Sequence, residues 1–147
     1  TITNCTGNVD TRSSYAVTID NQKSGYIVSR DLTGSVKDII ITDSGTLDRV
    51  GIDLWSGKNI SISNTNTKGI DINNGFRGAT GNTYTFTNVD IRNYPYGPFR
   101  FNDASFISWT NAEISQFLTQ ATFTGCTISA AGWAALNPLL QPYFTIT

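Results

Sequence analysis

Ile62-Ser63-Asn64-Thr65, Phe86-Thr87-Asn88-Val89 and Trp109-Thr110-Asn111-Ala112 repeat one short pattern: an apolar residue, Thr or Ser, a turn residue and a small residue. The same pattern stands at Ile2-Thr3-Asn4-Cys5, Ile41-Thr42-Asp43-Ser44 and Phe123-Thr124-Gly125-Cys126. Its third position reads Asn, Asp, Asn, Asn, Asn and Gly along the chain. These residue types tolerate a positive φ, so each repeat is expected to turn a sharp corner between two short strands through one left-handed residue. From Asp43 to Asn64, Asn88 and Asn111 the steps are 21, 24 and 23 residues, the length that a turn of short strands and corners requires. The step of 39 residues from Asn4 to Asp43 implies a hidden turn, with Tyr26-Ile27-Val28-Ser29-Arg30-Asp31 as its candidate, and the last step, 14 residues to Gly125, is short.

A second strand of each turn is expected where alternation of period two returns, at Ala16-Val17-Thr18-Ile19-Asp20, Gly51-Ile52-Asp53-Leu54-Trp55, Gly69-Ile70-Asp71-Ile72 and Pro98-Phe99-Arg100-Phe101. Apolar members face the core and the others face out. Phe86, Phe99, Phe101, Ile107, Trp109 and Phe123 fall on inward positions. The expected fold is all-β, a parallel β-helix of about five to seven turns. Residues 1–129 form the turns and 130–147 a C-terminal cover, in which Gly132 to Leu140 offers a short helix before Tyr143-Phe144-Thr145-Ile146-Thr147 returns to a strand pattern. An antiparallel β-sandwich is the alternative that short alternating strands also permit.

These corners and strands, from roughly Thr1 to Ser129, resemble the pectate-lyase-like superfamily of right-handed parallel β-helices, which includes pectin-degrading enzymes and bacteriophage tailspikes. The resemblance concerns architecture and carries no catalytic signature of polygalacturonases or pectate lyases. It implies a tailspike-like or adhesin-like segment, extracellular or on a virion surface, assembled as a homotrimer with Trp133 and Tyr143 at the interface. The chain opens at Thr1 inside a strand pattern, as expected of a piece cut from a longer polypeptide.

Composition narrows the function. Ten Lys and Arg stand against eleven Asp and Glu, for a formal net charge of -1, so there is no basic field to hold a nucleic-acid backbone. No apolar run approaches the roughly 18–20 residues of a membrane span, and no membrane partner is expected. The absence of His removes any mechanism that needs one. Cys5 and Cys126 hold the small-residue position of the repeat, and several turns at ~4.8 Å each would separate them well beyond the reach of a disulfide. Both are expected to be free, buried thiols, with neither a metal nor a cofactor implied.

The chemistry gathers on one outward face. Register places Thr18, Asp53, Asp71 and Arg100 on the same sheet, the last three on consecutive turns. Two carboxylates one strand spacing apart, about 5 Å, match the separation of a retaining glycosidase pair, and their mutual repulsion would raise one pKa. The resemblance implies a catalytic cleft over this sheet, with Asp53, Asp71 and Arg100 as its catalytic candidates. A solvated ion-pair ladder and a calcium site on Asp53 and Asp71 are the competing readings. Trp55, at a strand end, and Tyr94 and Tyr96, in the loop Asn93-Tyr94-Pro95-Tyr96-Gly97-Pro98, are the candidates for stacking on sugar. The expected partner is polysaccharide, bound by a surface-fibre segment. The alternatives are a glycan depolymerase using Asp53 and Asp71, a structural stalk, and an ice-binding solenoid. The last is suggested by outward pairs at Thr1 and Thr3, Ile40 and Thr42, Ser61 and Ser63, Thr85 and Thr87, Ser108 and Thr110, and Thr122 and Thr124.

Overall fold

A computed structural model describes residues 1–12, 16–30, 38–45, 50–92, 97–103, 105 and 107–147. In chain order the first strands are β1 (Ile2–Thr3), β2 (Val9–Thr11), β3 (Val17–Asp20), β4 (Tyr26–Ser29), β5 (Asp38–Thr42), β6 (Val50–Leu54), β7 (Asn59–Ser63) and β8 (Asn66–Ile72). They continue with β9 (Thr83–Thr87), β10 (Asp90–Ile91), β11 (Phe99–Phe101), helix α1 (Asn111–Leu118), β12 (Ala121–Thr124), β13 (Thr127–Ile128), helix α2 (Ala130–Ala135) and β14 (Thr145–Ile146). One sheet has six strands in the order β1-β3-β5-β7-β9-β12. The other has eight, in the order β14-β13-β10-β8-β6-β4-β2 with β11 also paired to β8. Every pairing between these strands is parallel. The chain alternates between the sheets, which removes the antiparallel sandwich from consideration.

Alternation stacks like on like. Ile2, Ile19, Ile41, Ile62, Phe86 and Phe123 are successive register partners in the first sheet. Ile27, Ile52, Ile70 and Phe99 are partners in the second, with Ser29, Leu54, Ile72 and Phe101 two residues on. The middle members of these columns are almost wholly buried, each contributing about 1.5–3 kcal/mol relative to exposure. Isoleucine fills the early turns, and from β9 onward the core becomes aromatic. Phe86 stacks on Phe123 with centroids 4.7 Å apart, and Tyr84 on Phe117 at 4.2 Å.

The corners are left-handed: Asn4, Asn21, Asp43, Asn64, Asn88 and Gly125 have φ of 57, 55, 50, 48, 52 and 62°. From Asn4 to Asn88, each corner N–H donates to a carbonyl at the end of the next strand, Asn64 to Thr87 at 2.9 Å and Asn88 to Thr124 at 2.8 Å among them. Side-chain amides climb with the backbone, Asn21 Nδ2 donating to Asn4 Oδ1 at 2.5 Å and Asn88 Nδ2 to Asn64 Oδ1 at 3.1 Å. At the last corner a Cβ on Gly125 would lie 2.5 Å from Asn88 Oδ1, so a larger residue there would displace the amide that donates to Asn64. The residue after each corner turns inward, where Ser44 and Thr65 are fully buried and donate back to the carbonyls of Thr42 and Ser63 at 2.9 and 2.7 Å.

The extra turn expected between Asn4 and Asp43 is present: its corner is Asn21, reached from Ile19-Asp20, and Tyr26–Ser29 is its strand in the second sheet, while Asp31 lies outside the described residues. Other sequence expectations are corrected. Val17–Asp20 belongs to the first sheet, where Thr18 pairs with Ile40, far in register from Asp53. Trp109-Thr110-Asn111-Ala112 is no corner: Thr110 is the N-cap of α1, accepting from the Glu113 N–H, while Glu113 reaches back to the Thr110 N–H. Such a reciprocal cap satisfies two otherwise orphaned donors and favours helix over a turn. Phe123 therefore pairs directly with Phe86, and α1 is an excursion within that step. Ser108 and Thr110 leave the outward array, where Thr122 and Thr124 pair directly with Thr85 and Thr87, and Thr18 and Asp20 add a rung between β1 and β5. Lastly, Ile107 is 61% exposed, Ala112 is exposed and Cys5 only half-buried. Cys126 is buried, and both thiols are free.

Candidate functional site

Parallel register brings Asp53 of β6, Asp71 of β8 and Arg100 of β11 into one row, Asp71 standing between the other two. Their apolar neighbours Ile52, Leu54, Ile70, Ile72, Phe99 and Phe101 are buried, which turns the three polar side chains to the outer face. Arg100 Nε donates to Asp71 Oδ1 at 2.7 Å, and its Nη2 closes a second bond to Asp71 Oδ2. The side chains are only 20% and 22% exposed, so this forked pair is held more firmly than an ion pair in open solvent. Gly97 lets the arginine stem lie close, since a Cβ there would stand 3.2 Å from Arg100 Cγ.

Asp53 has a separate set of donors. Trp55 Nε1 donates to its Oδ2 at 2.9 Å, and Asn73 Nδ2 donates to its Oδ1. The Arg30 guanidinium lies over the Trp55 ring, 4.8 Å from its centroid, a cation–π contact. Burial raises the Asp53 pKa above the ordinary carboxylate range; the Trp55 hydrogen bond opposes this and the Asp71 charge adds to it. Nitrogen donors thus engage both carboxylates, which leaves few oxygen lone pairs for a calcium ion. Among the described residues no three His, Cys, Asp or Glu gather to hold a metal.

Trp55 is half-buried beside the row, one face covered by Arg30. Tyr94 and Tyr96 lie outside the described residues. Arg30, Asn73 and Asn102 escaped sequence reasoning. The register carried the signal: Arg30 follows Ser29, the partner of Leu54, while Asn73 and Asn102 each stand two residues beyond Asp71 and Arg100. Beyond Arg100 the row opens into a groove of about 550 Å³ lined by Arg100, Asn102, Ser108, Trp109, Leu136 and Asn137, among others.

On the opposite sheet the outward residues run Thr18, Ile40, Ser61, Thr85, Thr122 and Asp20, Thr42, Ser63, Thr87, Thr124. A depression of about 380 Å³ involving Asp38, Ile40, Asn59 and Ser61 indents this face. No protein-family model, curated protein or solved structure matches the chain.

Proposed function

We propose that the two sheets are walls of a right-handed parallel β-helix of about six turns, and that this chain is a surface-fibre segment that recognises polysaccharide. Right-handedness is supported by the near-universal hand of crossovers between parallel strands in one sheet. The observation that carries the binding reading is the state of the two carboxylates. Asp71 is held by Arg100 and Asp53 by Trp55 and Asn73, so the row is a preorganised set of fixed donors and acceptors rather than an acid and a nucleophile facing a common bond. Sugar hydroxyls suit such a surface, and a Trp edge beside it supplies apolar contact. A retaining hydrolase would need one carboxylate free to attack and the other free to deliver a proton. An ice-binding face is disfavoured by Ile40, Asp20 and the depression beside them.

The natural setting we propose is extracellular or on a virion, within a homotrimer or a larger chain. A glycan-array screen of the purified protein, with oligomer mass recorded in parallel, tests the proposal. Retention of a glycan without cleavage, lost in Trp55→Ala and Arg100→Ala, is the expected result. Cleavage abolished by Asp53→Asn or Asp71→Asn would replace it with the depolymerase reading, and no retention by a folded sample would leave a structural stalk.

A further inference from the structure

We propose that the groove beyond Arg100 is a strand-addition site, in which an extended segment of a partner protein pairs, backbone to backbone, with the free edge of β11.

The edge follows from the ladder. On one side β11 pairs in parallel with β8, Phe99 with Ile70, Arg100 with Asp71 and Phe101 with Ile72. The Ile70 N–H donates to the Pro98 carbonyl and the Asn102 N–H to the Ile72 carbonyl, both at 3.0 Å. The backbone groups of Pro98 and Asn102 therefore face β8, and by alternation those of Arg100 do too, whereas those of Phe99 and Phe101 face away. On that far side the Phe101 carbonyl accepts from the Trp109 N–H at 3.0 Å. The N–H and C=O of Phe99 and the N–H of Phe101 make no hydrogen bond among the described residues. They leave two donors and an acceptor at the spacing of a strand.

The topology explains why this edge is free. Residues 66–67 of β8 are continued across the sheet by β10, β13 and β14, whereas residues 70–72 are continued by β11 alone. After β13 the chain enters α2, so no further strand is laid beside β11. The groove of about 550 Å³ lies in that place, lined by Gly97 and residues 99–102 on one side and by residues 135–138 on the other. Consecutive residues of β11 line it regardless of which way their side chains point, as they do where a groove runs along a strand edge and not over a sheet face.

A bare edge is complemented by another strand, which supplies an acceptor for each free N–H and a donor for the Phe99 carbonyl. Phe99 and Phe101 are each only 4% exposed, so these groups are sheltered and gain by being paired. Added residues opposite Phe99 and Phe101 turn toward the same buried side, where Trp109, Ile114 and Leu136 line the groove. The residue between them faces out beside Arg100. The matching segment therefore reads apolar, any residue, apolar. A second copy of this chain is a poor source: its exposed strand β14 is already paired with β13 and carries one apolar residue, Ile146.

The test uses the whole chain and does not depend on the glycan-binding reading. A displayed library of peptides about ten residues long is selected against the protein, and the strongest binder is synthesised unmodified and in two forms N-methylated at alternate amides. The selected peptides are expected to share the apolar alternation. One methylated form should bind about tenfold more weakly or worse, and the other, whose methyl groups point away from β11, should bind as the parent does. Amide exchange followed by NMR should show Phe99 and Phe101 exchanging faster than Arg100 in the free protein, and slowed about tenfold or more in the complex. Leu136→Trp, which narrows the groove, should abolish binding, and the methylated pair makes the same test with the protein unaltered. Selection of no peptide, equal effects of the two methylations, or exchange at Phe99 and Phe101 as slow as at Arg100 in the free protein overturns the site. Concentration-dependent self-association that protects the same two amides overturns the partner protein and gives the edge to a second copy.

Discussion

Asp53 shows how a side chain can be well partnered and still perturbed. Two donors meet its oxygens, yet burial raises its pKa, because desolvation disfavours the charged form more than two hydrogen bonds restore it. A folded-state pKa above the unfolded one means that the folded protein binds the proton more tightly. The group's contribution to stability is therefore present below the ordinary carboxylate range and is lost as pH rises through the raised value. The midpoint of denaturant unfolding is expected to fall as pH is raised from about 4 to 7, and Asp53→Asn should flatten that part of the profile. Equal slopes in the two proteins would show that Asp53 does not govern it. The alternation Ile52-Asp53-Leu54 and Ile70-Asp71-Ile72 made the outward row legible in the sequence. The donors were not, because Asn73 and Arg30 reach Asp53 and Trp55 only through neighbouring turns.

Helix α1 is the element that most changes the reading of the chain. Its apolar face buries Ile114 and Phe117, and Phe117 stacks nearly parallel on Tyr84. Arg77 Nε ties Glu113 from outside at 2.8 Å. That bond first, and the Thr110 N–H second, hold the Glu113 carboxyl down at about 2, so its support of the cap is present above the ordinary glutamate range and is lost as pH falls toward 2. Removing the cap hydroxyl in Thr110→Ala is expected to cost about 1 kcal/mol, with faster amide exchange confined to residues 111–118; Thr110→Ser should restore most of it. Unchanged exchange across the helix would mean that Phe117 packing alone holds α1. The Thr110-x-x-Glu113 spacing was available in the sequence as a helix signal, but Trp109-Thr110-Asn111 also matches the corner pattern, and both motifs satisfy loose backbone groups.

For the whole molecule, each turn is supported chiefly by its two neighbours, so stability should be distributed by position. Strands β5 to β9 have partners on both sides within their sheets, whereas β1 and β12 end the first sheet and β2 and β14 the second. Hydrogen exchange read by mass spectrometry is expected to protect β5, β7 and β8 most and the terminal strands least. Uniform protection from end to end would indicate one cooperative unit instead of a stack. By itself, the sequence determined the all-β class and the left-handed corners, because Asn, Asp and Gly at a positive φ, set between alternating apolar residues, are local requirements of the backbone, whereas the parallel pairing that excludes a sandwich came from the tertiary structure. It likewise determined that Asp53, Asp71 and Arg100 face outward, since alternation leaves only one outward choice on each strand, while the register that sets them in one row and leaves Thr18 on the other sheet came from the pairing of the strands. Only the tertiary structure decided which repeats are corners: Asn21 became one although Asp20 replaces the usual Thr or Ser, and Asn111 became the first residue of a helix. The physical reason is that a local motif sets the conformations a segment can adopt, while the pairing of Phe86 with Phe123 and the seat of Phe117 on Tyr84 select among them through contacts between distant residues.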